Sequence, residues 1–185
     1  RMFGLFRNEG ITNVVMAGQI NPQRLFSKEV NKSKDLTDLL TRIKDKKADT
    51  IFTAIAEKLK GFGIQVLEST TFLKGLLPKK GVLTKEEPDF STWEDVYFGL
   101  EQAKAIAYLD IGQTVAVKSK AVVAVEAFEG TDNLIRRAGK IAGDGTTIIK
   151  VSKPKQDTRF DIPVVGLTTI KNLIKVGARC LAIEA

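Results

Sequence analysis

Two loops in the second half of the chain concentrate the side chains that can do chemistry. The first runs Glu126-Ala-Phe-Glu129-Gly-Thr-Asp132 and leads into Asn133-Leu-Ile-Arg136-Arg137. Three carboxylates fall within seven residues, and a helical pattern begins where they end. A helix N-terminus presents unpaired N–H groups and the positive end of a dipole, which suits an anion such as phosphate. Carboxylates beside it could also hold a hard cation that bridges to the phosphate. The plain alternative is a helix capped by Thr131 or Asp132, with two ordinary surface glutamates. The second loop runs Lys150-Val-Ser-Lys153-Pro-Lys155-Gln156-Asp157-Thr-Arg159-Phe-Asp161-Ile-Pro163. Lys153, Lys155 and Arg159 are mixed with Asp157 and Asp161, and two prolines restrict the loop. Arg offers a planar fork for phosphate or carboxylate, and Lys a point charge. An ion-paired surface loop is the plain alternative here. Acids and bases beside a helix N-terminus are the groups that metal-assisted phosphoryl chemistry uses.

Composition narrows the chemistry further. The 185 residues contain no His and one Cys. A Ser-His-Asp triad, a Cys-His pair, an HExxH zinc site and a disulfide framework within the chain are therefore excluded. Acid–base work must fall to carboxylates, Lys, Tyr or metal-bound water. Hydrophobic residues make up 43 %, enough for a packed core. No apolar run reaches the roughly 18–20 residues of a membrane span, and the charged start RMFGLFRNEG is not a secretory signal. The net charge of +7 lies mostly in the first half. It fits phosphate-bearing ligands, anionic lipid, nucleic acid or plain solubility. The Lys-rich stretch 28–47 lacks the interleaved aromatics that single-stranded nucleic acid would want, so nucleic acid is not expected as a partner.

These residues need elements to hold them. Ile11–Met16 reads as a short buried strand, and the turn Gly18-Gln19 that follows it could meet a nucleotide. Asp35–Ile43 and Asp49–Lys60 show helical spacing; Asp49 is a candidate cap and Gly61 a candidate left-handed terminator. Ile64–Leu67 reads as a second strand, so a parallel βαβ unit is expected. Pro78, Gly81, Pro88 and the run 85–87 break the pattern. They place a domain boundary near 85–92, giving domains 1–88 and 89–185. Beyond it, Glu94–Ala105 is helical. Gln113–Lys118 and Ala121–Ala127 form a hairpin about Ser119-Lys120. Asp132–Ala142 is a helix, Thr146–Val151 a strand, Thr168–Val176 a Thr-capped helix and Arg179–Glu184 a last strand. Trp93 and Cys180 read as packing residues. The fold class is α/β, with mixed strands and helices in the second domain.

Four stretches carry a family resemblance: Asp110-Ile-Gly-Gln113, Ala124-Val-Glu126-Ala-Phe-Glu129-Gly-Thr-Asp132, Arg136-Arg137-Ala-Gly139, and Lys150 through Pro163. Together they resemble the C-terminal domain of the UDP-2,3-diacylglucosamine pyrophosphatases of the LpxI type. Residues 11–18 resemble a strand and turn of that family's N-terminal domain. The resemblance implies a Rossmann-like N-terminal domain, incomplete at its start, followed by a mixed α/β catalytic domain, with the C-terminal tail also missing. It implies hydrolysis of the pyrophosphate of UDP-2,3-diacylglucosamine to UMP and 2,3-diacylglucosamine 1-phosphate, a step toward lipid A, with Mg²⁺ or Mn²⁺. It also implies a bacterial, cytoplasmic enzyme acting on a lipid-linked nucleotide sugar. Peripheral association with the inner membrane and a homodimer are left open. The two domains would enclose the ligand.

Residue roles follow as expectations. Asp157 or Asp161 would be the metal ligand or water-orienting group, with Asp132 or Glu129 helping. Glu126 joins these four as a candidate metal ligand. Lys150, Lys153 and Arg159 would hold phosphate oxygens. Gly18, Gln19, Gln113, Gly130, Thr131, Arg136 and Gln156 complete the candidate substrate-binding set. A non-catalytic module for phosphate ligands or nucleic acid is the other reading, and it would not need the acids.

Overall fold

Residues 2–18, 43, 45, 48–154, 156–160 and 162–184 are described by a computed structural model. Gln19, Lys155, Asp161 and the expected helix 35–43, Ile43 apart, lie outside the described residues.

The chain divides into two units. The first comprises residues 1–76 together with 157–162, and the second comprises 77–156 and 163–185. The division at Leu76/Leu77 precedes the punctuated stretch 85–92, and residues 157–162 pack on the first unit. Phe160 is the reason: its ring lies 5.4 Å from that of Phe52 and packs on a cluster of Ala56, Leu59, Ile64 and Val66.

In the first unit, α1 (Met2–Asn8) leads to β1 (Asn13–Val15). After α2 (Ala48–Gly61) comes β2 (Gln65–Leu67). The two strands are parallel, with Val14 opposite Val66, as the strand–helix–strand pattern requires. The expected terminator moves: Gly63, with φ +76°, takes the left-handed position assigned to Gly61. The Ile64 N–H bonds to Leu59 O and the Gly63 N–H to Lys60 O, closing a Schellman motif. Ile64 and Leu59 then meet in the core, the apolar contact that accompanies this cap. A short 3₁₀ turn, Lys74–Leu76, ends the unit.

The second unit is a four-stranded sheet between helices. Helix α3 (Phe90–Tyr108) precedes β3 (Thr114–Lys118), β4 (Ala121–Val125) and α4 (Thr131–Ala142). Then follow β5 (Thr147–Lys150), α5 (Leu167–Lys175) and β6 (Cys180–Ile183). The strand order is β4-β3-β5-β6, with β3 antiparallel to β4 and β5, and β5 parallel to β6. Alternation sorts the faces. Val115, Val117 and Ile149 pack beneath α3 with Ala103 and Ala107. Ala116, Ala124 and Ile148 pack beneath α4 and α5 with Leu134, Ile135, Ala138 and Leu173. With both faces covered, β3 and β5 are buried almost throughout.

The hairpin turns at Ser119 and Lys120, both left-handed (φ 53° and 57°). Neither is Gly, so the turn needs outside support. The carboxylate of Asp95 on α3 accepts both of their backbone N–H groups, at 3.1 and 2.6 Å. Two expected caps are corrected. Neither α4 nor α5 has a side-chain cap; Gly130 and Gly166 occupy the N-cap positions. Trp93 packs by stacking on Tyr97, at the surface of α3. No described helix is long and apolar enough to cross a membrane.

Candidate active site at the carboxyl ends of β4 and β5

Three neighbouring strands place a polar row at one end of the second unit's sheet. Thr114 opens β3 and stands opposite Lys150, the last residue of β5. Glu126 follows β4, and its N–H bonds to Thr114 O at 2.9 Å. By strand alternation all three share the face of Ala116, Ala124 and Ile148, the face beneath α4. Thr131, the first residue of α4, closes the group.

The hydrogen bonds form a relay. The ammonium of Lys150 donates to Thr131 Oγ1 at 2.7 Å, and Thr131 donates to Glu126 Oε1 at 2.8 Å. The Thr114 hydroxyl lies 3.4 Å from that of Thr131. Glu126 and Lys150 are 7 % and 6 % exposed. A buried cation and a buried anion are tolerable only when hydrogen-bonded and mutually compensated, and the threonine supplies the bridge. Thr131 is therefore not a cap. Its hydroxyl turns inward, and the N-terminus of α4 is left without a side-chain acceptor behind Gly130, whose φ is +83°.

Three polar atoms in this region are buried and have no hydrogen-bond partner among the described residues: Glu126 Oε2, Gln113 Oε1 and Gln156 Nε2. Gln113 sits just before β3, where its C=O accepts the Val151 N–H. Gln156 Oε1 accepts the Lys153 N–H at 3.0 Å, leaving the amide nitrogen over. Gly112 is fixed by crowding: a Cβ there would run into the Glu126 carbonyl.

The other expected residues disperse. Glu129 is held by Arg137, and this hydrogen bond keeps its carboxyl below the usual range. Asp132 accepts from the Thr169 hydroxyl of α5 at 2.9 Å. Arg136 donates to Asn133 and to Asn172, tying α4 to α5. Lys153 pairs with Asp110 at 3.1 Å. Gly18 lies beyond β1 in the first unit, in a left-handed conformation (φ +110°).

Asp157 and Arg159 belong to the first unit and grip each other. The guanidinium donates to both carboxylate oxygens, at 2.6 to 3.2 Å, and the Arg159 N–H adds a bond at 3.1 Å. These hydrogen bonds hold Asp157 below the ordinary carboxylate range and raise Arg159. Ser69 fastens the turn through its hydroxyl to Arg159 O at 2.6 Å. Arg159 also borders a cavity of about 430 Å³ with Glu57, Lys60 and Gln65.

Among the described residues no group of three or more Asp, Glu or Cys side chains could hold a metal ion. The expected acidic cluster of Glu126, Glu129 and Asp132 thus separates into three different environments. Thr114 is the site residue the sequence reading missed; its place one step along the strand from Val115 was the available signal.

Comparison with known proteins agrees with this architecture. Residues 1–76 match the LpxI N-terminal domain and residues 79–185 the LpxI C-terminal domain. A relative from Caulobacter vibrioides, named UDP-2,3-diacylglucosamine pyrophosphatase LpxI, is 27 % identical over 195 residues. That alignment covers all of this chain and 69 % of the relative. Matched in both halves, the chain belongs to the LpxI family.

Proposed function

We propose that this protein hydrolyses the pyrophosphate bond of UDP-2,3-diacylglucosamine, releasing UMP and 2,3-diacylglucosamine 1-phosphate on the route to lipid A. The substrate rests on the name of the Caulobacter relative. The chemistry rests on one observation, the buried Lys150–Thr131–Glu126 relay at the open N-terminus of α4.

Phosphoanhydride hydrolysis needs the charge on the phosphates neutralised and a water held in place. Lys150 and the first N–H groups of α4 supply positive potential without His. Mg²⁺ or Mn²⁺ would fit one carboxylate here. Such ions commonly take one or two, and fill the remaining positions with phosphate oxygens and water. Glu126 would hold the cation through Oε2, the buried oxygen that no described protein group satisfies. When bound, the cation would supply further neutralisation of the pyrophosphate charge. Thr131 keeps Glu126 Oε1 occupied, so that Oε2 is the oxygen left to bind.

A carboxylate held below its usual pKa, as Asp157 is by Arg159, is a weak base and unsuited to proton abstraction. Glu129 and Asp132 support the site by anchoring Arg137 and Thr169.

The deciding experiment is a hydrolysis assay with UDP-2,3-diacylglucosamine. UMP should appear with Mg²⁺, vanish in EDTA and return when Mg²⁺ is restored in excess. Turnover unchanged in EDTA would remove the cation from the proposal. Tight substrate binding with no UMP under any condition would favour the non-catalytic reading.

A further inference from the structure

We propose that residues 70–85 dock on an anionic lipid surface. Phe72, Leu76 and Leu83 are 80 %, 79 % and 64 % exposed, and Leu73, Leu77 and Val82 are exposed with them. Isolated apolar side chains on a surface are ordinary, but six within twelve residues mark an interaction site. Lys74, Lys79, Lys80 and Lys85 are interleaved with them and exposed, and no acid occurs between Glu68 and Glu86.

The backbone is arranged to present these side chains. The Leu73 N–H bonds to Thr70 O and the Leu76 N–H to Leu73 O, both at 2.8 Å, closing the 3₁₀ turn. Beyond Pro78 the chain turns again at Gly81, whose φ of +127° suits no other residue well.

The mixture of residues selects the occupant. Protein–protein interfaces are depleted in Lys, so four lysines among the apolar side chains argue against a second copy of this chain. A bilayer accepts both kinds: apolar tips enter the headgroup–acyl boundary while ammonium groups stay at the anionic headgroups. Each Lys near such a surface contributes roughly fivefold to partitioning, about 1 kcal/mol. Under the proposed function the segment would bring the enzyme to a substrate whose two acyl chains reside in a membrane. The docking itself does not depend on that activity.

The test uses vesicles free of substrate. The full chain should co-sediment with vesicles of equal parts phosphatidylcholine and phosphatidylglycerol, and only weakly with phosphatidylcholine alone. The double variant Phe72→Ser/Leu76→Ser should lose about tenfold or more in binding at an unchanged melting temperature, because both side chains already face water. Lys79→Glu/Lys80→Glu should abolish the preference for anionic vesicles. Absence of binding to anionic vesicles, or equal binding by both variants, would overturn the proposal. So would a concentration-dependent dimer that Phe72→Ser/Leu76→Ser dissociates, since the surface would then belong to a second copy.

Discussion

Thr131 carries two hydrogen bonds that neither of its partners can replace from one another. Its valine isostere removes the hydroxyl and leaves Glu126 buried with no donor on either oxygen among the described residues. An unsatisfied buried polar group costs about 1–3 kcal/mol, more when charged. Thr131→Val should therefore lower the melting temperature and cut turnover by about a hundredfold, with KM much less affected. Thr131→Ser, which keeps the hydroxyl, should recover most of both. Equal turnover in the two variants would show that the relay is structural. At the other cluster, Arg159 sets the ionisation of Asp157. In Arg159→Met the Asp157 carboxyl should rise toward the ordinary carboxylate range, read by carboxyl-carbon NMR titration. The sign for stability follows. A carboxyl lowered in the folded state stabilises above its unfolded pKa, and that contribution fades as pH falls through the folded value. Wild type and Arg159→Met should converge in melting temperature at strongly acidic pH.

Helices in the second unit are placed by close approaches and caps. Gly99 on α3 lies against Ile149 and Val117, and a Cβ there would enter the space of Ile149 Cδ1. On an exposed helix, Gly→Ala would stabilise by about 1 kcal/mol. Here overpacking reverses the sign, so Gly99→Ala should destabilise by about 1–3 kcal/mol in a denaturant titration. Gly139 does the same for α4, where a Cβ would come within 2.6 Å of Val176 Cβ. The start of α3 depends on Asp89, which accepts from the Thr92 side chain at 2.7 Å and its N–H at 2.8 Å. These bonds, with one from Ser91, lower its pKa from 3.8 to about 2. Its stabilisation is thus complete above about pH 4 and fades toward pH 2. Asp89→Ala should melt below wild type at neutral pH, with the gap closing through that window.

At the scale of the molecule, the first unit borrows part of its core from a distant part of the sequence. Residues 157–162 lie some 90 positions from Ser69 and Glu68, which bond to Arg159 O and to the Thr158 hydroxyl. Phe160 is partly buried against Phe52 and the α2–β2 cluster. Complete removal of a core Phe costs about 3–5 kcal/mol, and a half-buried ring roughly 2. Phe160→Ala should loosen the first unit selectively. Amide exchange should accelerate in β1, α2 and β2, while β3 and β5 keep their protection. Uniform acceleration across both units would refute that assignment.

How much of this was legible in the sequence depends on the range of the interaction that decides each feature. The parallel strands β1 and β2, the hairpin with its turn at Ser119-Lys120 and the helix 131–142 follow from periodicity and local punctuation; the Ala116–Ala124 pair does not, because a bulge shifts the register between Ala116 and Val117. Such patterns survive because each element buries one apolar face whatever its neighbours are. The inward direction of Glu126 and Lys150 could also be read, since both continue the alternation of Ala124 and Ile148. Direction across a loop or around a helix could not. Glu126, Glu129 and Asp132 look like one cluster because they are close in the chain. Strand pleat turns the first toward Lys150 and Thr131, while the other two meet Arg137 and Thr169 on helices. The Thr131 cap failed because its hydroxyl found a buried carboxylate instead of the backbone, and the Thr168 cap because α5 begins earlier, at Leu167 behind Gly166. The attachment of 157–162 to the first unit rests on a Phe160–Phe52 contact spanning 108 residues. Only tertiary packing decides such a contact, because local sequence carries no record of which distant surface will bury an aromatic ring.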